Sequence, residues 1–87
     1  MARLELSATV PAGAGGIEYH GALAQAVPQG PDTFYRALLT ERGNKIELQA
    51  VVSGHAVFSC SVTVESHARA VEFLQELGQY DGWRVVD

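Results

Sequence analysis

Strict alternation of apolar and polar residues marks three stretches of the chain, and this period of two is typical of strands with one buried face. The three stretches are residues 4–10, 45–52 and 56–64. The short apolar segment 83–86 near the end of the chain adds a further strand. We therefore expect an antiparallel sheet of these strands, with 83–86 at an edge.

The period changes after Val64, where apolar residues recur at the spacing of a helix. Ser66 is a suitable residue to begin that helix, and Gly78 is a suitable residue to end it. The residues of the predicted apolar stripe are Ala70, Val71, Leu74 and Leu77, with Phe73 beside them. The pattern thus predicts a helix over 66–77 that covers the sheet.

Two segments fit both a helix and a strand. Residues 17–27 have apolar positions at either period, and Gly21 weakens both interpretations. Residues 33–42 form a helix if Asp32 caps the start and Gly43 ends it. The same residues form a strand if 41–44 is a hairpin loop. The local pattern favours the helix for 33–42. For residues 17–27 both a helix and a strand remain possible.

In the hairpin between residues 45–52 and 56–64, the positions of the apolar residues restrict the register of strand pairing. Both strands carry their apolar residues at even positions, so the loop must pair even positions with even positions. A three-residue loop over 52–54 meets this condition, and it pairs Leu48 with Phe58. We therefore predict that loop rather than a two-residue turn.

These elements predict one compact domain over residues 1–87, because 87 residues suffice for a single small core. The predicted fold class is α+β in two layers, with a mostly antiparallel sheet of four to five strands packed against helix 66–77. If 33–42 is helical, the order becomes β-α-β-β-α-β, which is ferredoxin-like. If it is a strand, the sheet gains one member.

Composition narrows the class of protein. The chain has ten acidic residues against six basic ones and a net charge of −4, which argues against direct nucleic-acid binding. A single cysteine is typical of a reducing compartment. The first residues have no apolar core of a signal peptide and no stretch reaches the length of a membrane span, so we expect a cytoplasmic protein without a membrane partner.

The cysteine and two of the histidines do not converge on a reactive site. Cys60 shares the strand face of Phe58 and Val62, His55 lies at an odd offset from it, and His67 lies in the next helix. Zinc-type spacings are absent from the sequence. We therefore predict no metal, no cofactor and no catalytic residue, and we expect Cys60 to be buried and unreactive.

The glycine-rich segment 12–16 invites a phosphate-loop interpretation. A G-x-G-x-x-G alignment from Gly13 and Gly15 places Glu18 at the third glycine, where its negative charge opposes a phosphate. A turn is the better interpretation of this segment.

An acidic edge is predicted along the outer side of the last helix. It consists of Glu72, Glu76 and Asp81, with Tyr80 and Trp83 beside it. Aromatic residues next to charges are common at binding hot spots. We predict these five residues as the partner-binding site and expect the three acids to add little to folding.

The segment from Tyr35 to Leu77 resembles the small phage-encoded anti-CRISPR inhibitor proteins, in particular a type I-F inhibitor. The likeness consists of a strand, a turn with Glu41, Gly43, Lys45 and Ile46, a second strand, a glycine turn and an amphipathic helix. The tyrosine that precedes the turn in that inhibitor is Thr40 here, so no binding residue carries over. The resemblance implies a small protein without enzymatic activity that blocks a larger machine by occupying its surface.

The function expected from the sequence is therefore non-catalytic binding and occlusion of a larger protein or nucleoprotein complex. An acidic surface suits a partner with a basic surface. Two alternatives remain open: an immunity protein or antitoxin that neutralises a toxin, and a ferredoxin-like ligand-binding or regulatory domain. The sequence does not distinguish a monomer from a homodimer.

Overall fold

The computed structural model describes residues 13–86, which form two helices and four strands. In chain order these are α1 (Gly16–Ala26), β1 (Thr33–Leu39), β2 (Lys45–Val52), β3 (His55–Thr63), α2 (His67–Leu77) and β4 (Trp83–Val86). The strand predicted over 4–10 lies outside the described residues. Within that described range, each helix is too short to cross a membrane.

The four strands form one mixed sheet in the order β3-β2-β1-β4. β1 and β3 both pair with β2 in the antiparallel sense, whereas β4 pairs with β1 in the parallel sense. Both helices pack on the same face of the sheet, since the buried positions of each strand alternate toward them. The prediction of a two-layer α+β fold is confirmed, and among the strands of residues 13–86 β4 lies at an edge, as expected.

Residues 33–39 form a strand, so the helix favoured for 33–42 is wrong and the ferredoxin-like order does not occur. β1 has a neighbour on each side, and its Tyr35, Ala37 and Leu39 are buried under the helices. Burial in the centre of the sheet outweighs the local helical pattern. The open segment 17–27 forms α1, which adds a second helix to the covering layer.

The β2–β3 hairpin shows that the parity argument is right and the predicted loop is wrong. Val52 pairs with His55, so the turn has two residues, Ser53 and Gly54, with φ of 50° and 82°. Positive φ at both positions is typical of a type I′ turn. A bulge between Ala50 and Val51 then adds one residue on β3 and restores even-to-even pairing, with Leu48 opposite Cys60.

Helix α2 begins as predicted, because the Ser66 hydroxyl accepts a hydrogen bond from the Arg69 N–H at 3.1 Å. Its buried side faces the sheet with Ala70, Phe73, Leu74 and Leu77. Phe73 also contacts α1 through an edge-to-face pair with Tyr19, with ring centroids 5.4 Å apart. The two helices are therefore joined to each other as well as to the sheet.

Gly16 marks the closest approach of α1 to α2. A Cβ at this position would lie 2.9 Å from the Glu76 Cβ and 3.1 Å from the Phe73 carbonyl oxygen. Gly21, in the same helix, has no atom within 4 Å of the corresponding point. Alanine at Gly16 therefore affects both the contact between the helices and the helix propensity of α1, whereas alanine at Gly21 affects the helix propensity alone.

Gly16→Ala is expected to destabilise the protein by about 1–3 kcal/mol, because the methyl group forces α1 away from α2. Gly21→Ala is the matched control and is expected to stabilise it by about 0.5–1 kcal/mol, since alanine is the better helix former. Urea unfolding followed by circular dichroism measures both changes. Equal effects of the two substitutions would contradict the close approach of the helices.

Candidate partner-binding surface

The predicted acidic edge lies on the outer side of α2 and in the turn that follows it. Glu72 and Glu76 face away from the sheet because the intervening Phe73, Leu74 and Leu77 are buried. The Glu72 side chain is 68% exposed and the Glu76 side chain 42% exposed. Asp81 is exposed in the turn before β4. Glu72 and Asp81 are therefore the more accessible of the three acids.

Glu76 is held in the contact between the helices. Its Oε2 accepts a hydrogen bond from the Gly16 N–H at 3.0 Å and lies 3.5 Å from an Arg69 guanidinium nitrogen. Arg69 also lies 3.7 Å from Glu72 across one helical turn. A carboxylate at the first turn of a helix satisfies free N–H groups and interacts favourably with the helix dipole. Glu76 therefore differs from the expectation that all three acids add little to folding.

The start of α1 holds a second carboxylate. Glu18 Oε2 accepts a hydrogen bond from the Gly15 N–H at 2.9 Å. The backbone N–H groups of Gly15 and Gly16, which a phosphate loop would direct at its ligand, are thus both bonded to carboxylates. Gly15 and Gly16 are the glycines that lie against Glu76 of α2. The sequence signal for the start of α1 was Glu18, three residues after Gly15.

The two aromatic residues of the predicted site are joined by a histidine. The Trp83 Nε1–H donates a hydrogen bond to His20 Nδ1 at 2.8 Å, and the Tyr80 ring stacks on the His20 ring with centroids 4.2 Å apart. Trp83 also packs against both parts of the core. Both aromatic side chains are half-buried, so each keeps an accessible part beside Asp81 in the chain. Their positions are held by internal contacts.

His20 is the functional candidate that the sequence did not reveal. It lies 63 residues from Trp83 in the chain, and no local pattern connects the two. Burial lowers the pKa of His20 below its ordinary value. The neutral ring also fits the hydrogen bond, because Nδ1 must be unprotonated to accept the indole N–H. The stability of this aromatic cluster therefore depends on pH.

Cys60 lies on the core face of β3, as predicted, and contacts both parts of the core. It is half-buried, so the expectation of full burial is wrong, because β3 is an edge strand of the described sheet. Burial nevertheless raises the pKa of its thiol to about 11. His55 is exposed at the start of β3, while His67 at the start of α2 donates from Nδ1 to the Gly43 carbonyl oxygen at 2.6 Å. Among residues 13–86, His, Cys, Asp and Glu side chains do not gather in groups of three that could hold a metal ion.

Comparison of the chain with protein families, curated proteins and solved structures gives no match. The arguments for its function therefore rest on its own residues. Those that the structure brings together are the acids of α2, the start of α1 and the Tyr80–His20–Trp83 cluster.

The raised pKa of Cys60 predicts slow reaction of its thiol. At pH 8 a thiol with a pKa of about 11 has on the order of 100-fold less thiolate than an ordinary cysteine, and the thiolate is the reactive form. Native protein is expected to react with an aromatic disulfide reagent at least that much more slowly than protein in urea. Cys60→Ser provides the blank. Equally fast reaction of native and unfolded protein would contradict the core position.

The His20 cluster predicts loss of stability in mild acid. Because the pKa of His20 is lowered in the folded state, its contribution is fully present above about pH 6.5, the ordinary histidine value, and is lost as pH falls toward the folded pKa. His20→Phe is expected to be less stable at pH 7.5 and to show a smaller decline between pH 7 and pH 5. Unfolding followed by Trp83 fluorescence measures both.

The control for this experiment is His55→Gln, which removes an exposed histidine from the start of β3. It is expected to keep the wild-type dependence on pH. If His20→Phe declines as steeply as the wild type, other groups cause the acid sensitivity.

Proposed function

We propose that the protein is a non-catalytic inhibitor that binds a larger protein or nucleoprotein complex with a basic surface and blocks it by occupying that surface. Its mode of action would then be similar to that of the anti-CRISPR inhibitors. The observation that carries the proposal is the division of charge between the two faces of the molecule.

The helical layer is the acidic face. Glu72 and Glu76 lie there on either side of Arg69, whose side chain is 25% exposed, and Glu18 lies at the start of α1, where Glu76 also bonds. Three of the remaining basic side chains lie on the strands of the sheet, at positions that alternate away from the helices. These are Arg36, Lys45 and Arg84. Since these cations are on the opposite face, Arg69 is the basic side chain that contacts these acids, and three carboxylates against one guanidinium leave an excess of negative charge. Such a surface attracts and orients a basic partner.

Two acids are best placed for such docking. Glu72 is mostly exposed and its contact to Arg69 is long, at 3.7 Å, so its charge remains available to a partner. Asp81 is exposed next to Tyr80, whose ring is held by its stack on His20. An aromatic ring that is already immobile loses little entropy on binding, which favours a hot spot at this end of the surface.

The proposal is tested by charge reversal that avoids Glu76. Glu72→Lys combined with Asp81→Lys is expected to change the free energy of unfolding by less than about 0.5 kcal/mol each, because both side chains are exposed. It is expected to slow association with the partner about tenfold at low salt, since rim charges act mainly on the on-rate. Glu41→Lys, at an exposed loop position, is the control with the same change of charge per site.

The measurement has two stages. Immobilised wild-type protein captures its partner from cells of the host, and surface plasmon resonance then compares the variants at 50 and 300 mM salt. In parallel, plaque formation by a targeted phage is scored in cells with an active type I-F CRISPR system. Plaques that require Glu72 and Asp81 support anti-CRISPR action, whereas capture of a toxin supports the antitoxin alternative. Association that is independent of both acids and of salt would contradict the proposed surface.

A further inference from the structure

The sheet face opposite the helices carries a row of hydrogen-bond donors that crosses all four strands. Arg84 on β4 pairs with Arg36 on β1, Arg36 pairs with Gln49 on β2, and Gln49 pairs with Ser59 on β3. Side chains at paired positions of neighbouring strands lie on the same face. The row therefore places two guanidinium groups side by side at the β4 end.

Both arginines also lie close to the Phe34 ring. The guanidinium carbon of Arg36 lies 5.5 Å from the centroid of the Phe34 ring, and that of Arg84 lies 5.8 Å from the same centroid. These distances are typical of cation–π contacts. Two like charges beside one ring repel each other, so an anion close to both guanidinium groups would be attracted to each.

The described residues do not supply such an anion. Within residues 13–86, ion pairs to carboxylates are formed by Arg69 and not by Arg36 or Arg84. Glu47 accepts hydrogen bonds from Gln49 and Ser59, the other members of the row, at 3.2 and 3.5 Å. The Arg36 Nε–H is buried, and it has no hydrogen-bond acceptor among residues 13–86. Such a donor is rare, and it shows that the described residues do not complete the hydrogen bonding of the Arg36 guanidinium.

We propose that Arg36 and Arg84 form a binding site for a small ligand with a phosphate monoester group. Two guanidinium groups carry two positive charges and present paired donors, which match the phosphate oxygens. A phosphate monoester carries close to two negative charges at pH 7, so it balances the pair. A carboxylate or a phosphodiester carries one negative charge and neutralises only one of the two guanidinium charges.

This site lies on the opposite face from the acidic surface and does not depend on the proposed inhibitor function. It also involves different residues, so variants at Arg36 and Arg84 leave Glu72 and Asp81 unchanged. Failure of one proposal therefore has no bearing on the other.

The test is a titration of the full chain followed by nitrogen–proton correlation spectra of the arginine Nε–H groups. Phenyl phosphate and inorganic phosphate are the monoester-type probes, and dimethyl phosphate and acetate are the singly charged controls, all at constant ionic strength. We expect saturable shifts of the Arg36 and Arg84 Nε–H signals, with phenyl phosphate bound at least tenfold more tightly than dimethyl phosphate.

Variants locate the effect. Arg84→Gln is expected to weaken phenyl phosphate binding at least tenfold, and because β4 is an edge strand this substitution leaves the central strand intact. Arg84→Lys keeps the positive charge but loses the planar guanidinium group with its paired donors. It is expected to weaken phenyl phosphate binding severalfold. Arg42→Gln, in the exposed β1–β2 loop, is the matched control and is expected to have no effect.

Three results would overturn the proposal. They are shifts that do not saturate, equal affinity for dimethyl phosphate, and equal loss of binding in Arg42→Gln. Tighter binding of a single-stranded oligonucleotide than of phenyl phosphate would also overturn it, because it would identify a phosphodiester ligand.

Discussion

The burial of Tyr35 in the central strand determines where two other elements, α1 and β4, lie. Its side chain is fully buried, its hydroxyl donates to the Val27 carbonyl oxygen at 2.6 Å, and its backbone N–H donates to the Gly82 carbonyl oxygen at 2.6 Å. The first bond holds the end of α1, and the second positions the start of β4. A buried tyrosine hydroxyl without a partner would be costly, so these contacts select the strand conformation of β1 over a helix. The parallel pairing of Tyr35 with Trp83 follows from the same position.

That central strand also separates the charges of the molecule. Because odd positions of β1 face the helices, Arg36 is directed to the other face, where β4 adds Arg84 in register. Glu18, Glu72 and Glu76 lie with the helices, where Glu18 and Glu76 bond to the start of α1, whereas Glu47 lies on the face of the arginines. One face is thus suited to a basic partner and the other to an anion. A chain with a net charge of −4 can in this way carry a local basic site that its overall charge conceals.

Part of the candidate site was predictable because its signals are local. Helix periodicity placed Glu72 and Glu76 on the outer side of α2, and this is where they lie. The role of Glu76 was not predictable, since its partner Gly16 is 60 residues away. His20 was missed for the same reason. The arginine pair was missed because the helix favoured for 33–42 does not place Arg36 on a strand beside β4.

The helix predicted over 66–77, the strands predicted over 45–52, 56–64 and 83–86, and the parity that puts Leu48 and Phe58 in the core could all be derived from sequence, and each agrees with the structure to within one residue. Each of these follows from a period or a cap that a few neighbouring residues carry. The strand state of 33–39, the two-residue turn with its compensating bulge, and the parallel pairing of β4 depend instead on contacts between distant parts of the chain. In those cases the local preferences are nearly balanced. The burial of Tyr35 and the pairing of backbone groups between distant strands supply the deciding free energy, and neither can be evaluated until the chain has folded.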